Sequence, residues 1–230
     1  MRTLLYVPII HTSADLGSLS KEVAERGIAR LGEEVWERHR QIVAGFWRSV
    51  WDSFDGVDVT GMKIYQDGMV ADGDVGRRIA EDSAGAGSLN YQLVLELLDR
   101  GASLTRTESF DLVKREYDRL IAMTQARSMR SKLMAVIRYK IAKSSLLRRR
   151  DAFIARTIGE TLEPGETGIL FIGALHDVTK WLCADIQIEE VKDRRKVRDY
   201  QRLLPFHSKH AQRCEELGRY LIARVAPPSP

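Results

Sequence analysis

The sequence predicts an α/β fold: a single domain with a mostly parallel central sheet flanked by helices, and a long helical insertion between strands 3 and 4. Three observations carry that expectation. Two runs, Leu4 to Ile10 and Gly168 to Gly173, are continuously apolar rather than alternating, as strands buried on both faces of a sheet are. Stretches with helical spacing separate the candidate strands, which is the pattern of parallel crossovers. The chain has 230 residues, 44% of them hydrophobic, enough to bury a core without a disulfide or a metal.

The first strand runs from Leu4 to Ile10 and ends in His11. Ser18 or Ser20 can cap the following helix, with Glu22 in its first turn. Apolar residues from Val23 to Val50 recur at near-helical spacing up to about Phe54, but Gly27, Gly32 and Gly45 weaken the run, so a break in two is expected. A turn over 55–61 leads to a second strand from Met62 that ends at Asp67-Gly68. A short helix is expected around Val75 to Glu81, then a flexible loop from Asp82 to Ser88 able to cover a site. Asn90 to Arg100 is helical, closed by Gly101. Ala102 to Glu108 reads as a third strand, less apolar and nearer an edge. Phe110 to Ile158 reads as two helices, stopped by Pro164-Gly165. After the Gly168 strand, a helix to about Cys183 and a last strand over 185–191 complete the sheet. The expected organisation is an α/β domain over 1–192, a C-terminal helical extension of it over 193–225, and a disordered tail over 226–230.

The N-terminal apolar run is too short to span a bilayer, and no small-residue cleavage site follows it. Cys183 and Cys214 match no ligand spacing and read as reduced thiols. The expectation is a cytoplasmic protein with no membrane partner.

In a parallel sheet, right-handed crossovers bring the carboxyl ends of the strands to one edge, and ligands bind there. Four residues fall at those ends: His11, Asp67, Glu108 and His176. Two imidazoles and two carboxylates converging can hold a divalent metal with an open position. They can equally form a metal-free acid–base pair, a carboxylate orienting a histidine that activates water. Each residue alone also has an ordinary structural role, such as a turn or a helix start.

Gly173-Ala-Leu-His176 after an apolar strand resembles the GxxH motif of the Tiki/TraB superfamily, which includes erythromycin-esterase-like and ChaN-like proteins. Other landmarks stand in matching order over roughly 1–190: a first strand ending in His11, a second ending in Asp67-Gly68, and a helix with Arg150-Asp-Ala-Phe-Ile-Ala155 before the GxxH strand. The resemblance implies a hydrolase, peptidase- or esterase-like, acting on a small-molecule or peptide substrate. It assigns paired histidines His11 and His176, a carboxylate Asp67 and a supporting Arg150; Glu108 adds a second carboxylate. His11, Asp67 and His176 are the ligands if a divalent metal binds. Two positions depart from the pattern: Pro8 stands where the first motif has glycine, and Asp67 where glutamate is usual.

The net charge is +4, yet nine Lys or Arg and no acid lie between Arg127 and Arg150. This segment reads as a solvated helix face, or alternatively as a surface of a non-catalytic protein that recognises an anionic ligand or nucleic acid. No nucleic-acid module is recognisable around it, and no nucleophile elbow surrounds Ser13, Ser109 or either cysteine.

Overall fold

The structure is a computed structural model. It describes residues 1–12, 15, 20–125, 129–225 and 227, and the side chains of these except 20, 22, 120, 122–125 and 129–143. The expected cap at Ser18, the start of the basic segment and, apart from residue 227, the expected tail over 226–230 lie outside the described residues.

Five parallel strands, β1 (Arg2–Ile9), β2 (Lys63–Gln66), β3 (Ser103–Thr105), β4 (Thr167–Gly173) and β5 (Ile186–Glu190), form one sheet in the order β3-β2-β4-β1-β5. The two most apolar strands, β1 and β4, lie side by side at its centre, paired from Thr3–Thr167 to Ile9–Gly173. Alternate residues serve opposite faces, as strand geometry requires. Leu5, Val7 and Ile9 join Phe46, Trp47, Val50 and Leu217 on one side. Leu4 and Tyr6 meet Ile154, Ile158 and Leu170 on the other. Pro8 is tolerated in a central strand because pairing with β5 has already ended at Tyr6–Glu190, so no ladder bond is lost.

The first helical stretch is broken in two, α1 (Ser20–Leu31) and α2 (Glu33–Ser53), at Gly32, whose φ of 83° only glycine adopts readily. The helix α3 (Gly73–Gly85) is longer than the sequence suggests and absorbs half of the expected loop. Ala80 and Ala84 lie one turn apart and both bury, which holds residues 82–85 in the helix. What remains is a tight connection whose Ser88 is fully buried and caps α4 (Leu89–Asp99) by accepting the Tyr91 N–H. It is a joint and not a flexible cover. The third strand is a three-residue edge strand, so Glu108 lies beyond it, anchored by its N–H to the Met69 carbonyl at 2.9 Å.

The insertion between β3 and β4 is two helices, α5 (Phe110–Gln125) and α6 (Met129–Thr161). The expected helix after β4 is only a 3-10 turn, Val178–Lys180. Twelve residues separate β4 from β5, and the first of them are fixed by the contacts of His176 described below. Helices α7 (Arg194–Leu203) and α8 (His207–Ile222) return over the sheet, and the Ser49 hydroxyl of α2 donates to the Leu221 carbonyl of α8 at 3.2 Å. Among the described residues no helix is long and apolar enough to cross a membrane.

The strand order matters for function. From β1 the chain passes to one side of the sheet, and from β4 it passes to the other. The crevice between the ends of β1 and β4 is therefore the topological switch point, where open parallel sheets place their ligands.

Candidate active site

Helix α6 runs past the end of the sheet, and its inward stripe changes character there. Leu146, Arg150, Ile154 and Ile158 recur at helical spacing, with Asp151 beside them. Ile154 and Ile158 pack on the sheet, whereas Arg150 and Asp151, 7% and 3% exposed, reach over its edge.

His176 follows β4, in a turn where its N–H donates to the Gly173 carbonyl at 3.0 Å. Its Nδ1 meets Asp151 Oδ1 at 2.6 Å, and Asp151 Oδ2 accepts the Asp177 N–H at 3.1 Å. A carboxylate beside Nδ1 favours the tautomer with its proton there and leaves Nε2 free as an acceptor. Nε2 stands 3.7 Å from Asp67 Oδ2. Burial pulls the His176 pKa down, but the charges of Asp67 and Asp151 outweigh it and hold the pKa above the usual histidine value.

Asp67 directly follows β2 and is fixed at both oxygens. Oδ1 accepts from Arg150 Nη2 at 2.7 Å, and Oδ2 accepts the Gly173 N–H at 3.0 Å. Burial raises its pKa, yet His176, Arg150 and His11 together overcome that and keep it well below the carboxylate range. Arg150 also bonds Glu108, with Nε 3.1 Å from each oxygen, and Glu116 of α5. Three carboxylates share one guanidinium, and Glu108, with no exposed surface, takes the unfavourable share: burial lifts its pKa despite Arg150.

His11 extends from β1 with 48% of its side chain exposed, and its Nδ1 lies 3.8 Å from Asp15 Oδ2. A Cβ placed on Gly173 would stand 3.0 Å from Asp67 Oδ2, 3.6 Å from His176 Cδ2 and 3.7 Å from His11 Nε2. Both imidazoles and the carboxylate thus border one small space that a side chain at 173 would fill. Helix α7 secures the two loops: Arg198 donates to the Ala174 carbonyl at 2.7 Å and the His176 carbonyl at 3.2 Å, and Gln201 to the Ile9 carbonyl at 3.2 Å. Above lies a cleft of about 430 Å³. Gln66 and Asn90 line it, and their buried amide oxygens have no hydrogen-bond partner among the described residues.

All five residues chosen from the sequence, His11, Asp67, Glu108, Arg150 and His176, stand at this edge, with Glu108 behind Arg150 rather than in the cleft lining. Asp151, Glu116, Asp15, Arg198 and Gln201 had no role in the sequence reading. The polar pair Arg150-Asp151 within an otherwise apolar stripe is the signal that points to Asp151; the others carry no local signal. Of the basic segment, Arg148 and Arg149 are exposed while Arg150 faces inward, and the side chains before residue 144 lie outside the described residues. No protein-family model matches the chain, and no curated protein or solved structure matches it either.

Proposed function

We propose that this cleft is a hydrolytic site of the Tiki/TraB-like type in which His176 is the general base. The observation that carries the reading is the buried Asp151–His176 pair at the switch-point crevice: in the neutral ring a proton held on Nδ1 by Asp151 makes Nε2 the acceptor. Water bound over Gly173 gives its proton to Nε2 as its oxygen attacks the acyl carbon of an ester or amide. The bond to the leaving group then breaks, and the proton passes from His176 to the departing oxygen or nitrogen, giving an acid and an alcohol or amine. His11 Nε2, on the far side of the same space, donates to the oxyanion or positions the water. Each of the three guanidinium nitrogens of Arg150 bonds a carboxylate, so its main part is to hold Asp67, Glu108 and α5 in place.

A divalent ion on His11, Asp67 and His176 fits this arrangement poorly. Both Asp67 oxygens already accept hydrogen bonds, and a cation there would face the Arg150 guanidinium. Among the described residues no group of three His, Cys, Asp or Glu side chains is arranged as a ligand set. The chemistry proposed therefore runs through side chains alone. The described cleft lining carries Asp15, Asp67 and Glu116 against one arginine, which favours neutral or cationic substrates in this cleft.

The test is hydrolysis of p-nitrophenyl acetate by protein stripped with a chelator and assayed for residual metal. Activity should survive stripping, and His176→Asn should lower kcat/KM by about 10²–10⁴-fold. Full activity in His176→Asn, or loss on stripping that added metal restores, overturns the reading.

A further inference from the structure

A second cavity, of about 540 Å³, adjoins the cleft, and His11 stands in the wall of both. It lies between α1, α2 and the start of α4. Its apolar wall is Val23, Trp36, Val43, Ala44 and Leu89. Among the described residues the polar members of its lining add little net charge. Glu37 and Arg40 pair with each other at 2.8 Å. His39 meets the Tyr200 hydroxyl at 3.0 Å and stacks on the Tyr200 ring, centroids 5.8 Å apart, with the Trp36 ring tilted against it at 5.4 Å. Burial pushes the His39 pKa down to about 4, so the ring is neutral at pH 7. The size is that of a small-molecule site. A cavity with an apolar wall that includes Trp36, beside a polar, carboxylate-rich cleft, suits a molecule with one apolar end and one reacting polar end.

We propose that this cavity is a substrate subsite that takes an apolar group attached next to the scissile bond, so that the substrates are esters or amides bearing a medium-length alkyl or aryl group. The inference rests on the hydrolytic reading of the cleft, and it commits to His11 as the boundary between the reacting carbonyl and the apolar group. Longer apolar groups gain by leaving water, at about 0.8 kcal/mol per methylene, which corresponds to about a fourfold gain in kcat/KM for each one.

Two substrate series locate the group: p-nitrophenyl esters from acetate to octanoate lengthen the acyl side, and alkyl acetates from ethyl to octyl lengthen the leaving side. A rise of about fourfold per methylene in either series is expected. Ala44→Trp, which fills the cavity from an exposed helix position, should lower the octyl-to-short ratio about tenfold or more. Val23→Arg, on the exposed wall, should act in the same direction. Binding of 2-decanone, an uncleavable ketone, followed by tryptophan fluorescence, separates this proposal from the hydrolytic one. Saturable binding that both substitutions weaken supports the subsite even if no ester is turned over. Ester turnover with flat series, unaltered by either substitution, overturns the subsite and leaves the hydrolytic reading standing. Neither turnover nor binding overturns both.

Discussion

Arg150 shows how much one side chain can be asked to hold. It is 7% exposed and answers Asp67, Glu108 and Glu116 together, from three different elements. Removing one partner of a buried charged network leaves the others uncompensated, which costs about 3–5 kcal/mol. Arg150→Ala should therefore lower the unfolding free energy by about that amount in urea titration, whereas Arg148→Ala, at an exposed position, should stay within about 0.5 kcal/mol. Equal effects at both would mean that the network contributes little. At this scale the sequence was informative where a residue type is rare in its setting. A histidine directly after an apolar strand is conspicuous. An aspartate within a charged helix is not, and Asp151, though part of the Arg150-Asp stretch that carries the resemblance, draws no role from the sequence although it bonds His176 Nδ1.

Among the elements, the turn after β4 carries the most consequence for chemistry. Gly173 is the last residue of a central strand, and its N–H holds Asp67 while its bare Cα leaves the space between the imidazoles open. An alanine there would meet Asp67 Oδ2 at 3.0 Å, and Asp67 is pinned by Arg150 and cannot retreat freely. Gly173→Ala is predicted to reduce kcat/KM about 100-fold through misplaced groups, with a much smaller effect on melting temperature. Comparable loss of fold would show that the position is purely structural. The strands β1 and β4 were legible because they are apolar without interruption. The end of helix α3 was underestimated because Ala84 looks like a loop residue among glycines and serine, and only its burial one turn after Ala80 shows the helix continuing. The 3-10 turn after β4 was misread as a helix because the contacts that pin it, from Asp151 and Arg198, are remote in sequence.

For the molecule as a whole, strand order decides where function can lie, and no local pattern in the chain encodes that order. The sequence indicated a parallel sheet with chemistry at its carboxyl edge; that β1 and β4 are neighbours, and form the switch point, emerges only from the pairing of Ile9 with Gly173. Global stability should also carry a pH signature from His39, packed between α2 and α7. Its folded pKa of about 4 lies below the unfolded value of about 6.5, so between these the unfolded chain binds a proton that the folded one refuses. Stability should fall as pH drops from 6.5 to 4, by roughly 3 kcal/mol at most, and His39→Gln should remove that part of the slope; an unchanged slope would place the acid sensitivity elsewhere. The pairing of α6 with the end of β4 is tested most directly by the pH dependence of kcat/KM for p-nitrophenyl acetate in the parent protein and in Asp151→Asn. Because Asp67 and Asp151 raise the His176 pKa, the parent's activity should rise with pH through a midpoint above 6.5. With the Asp151 charge removed, that midpoint should move to lower pH while the plateau falls by about 10²–10⁴-fold. An unchanged midpoint and plateau in Asp151→Asn would contradict the account.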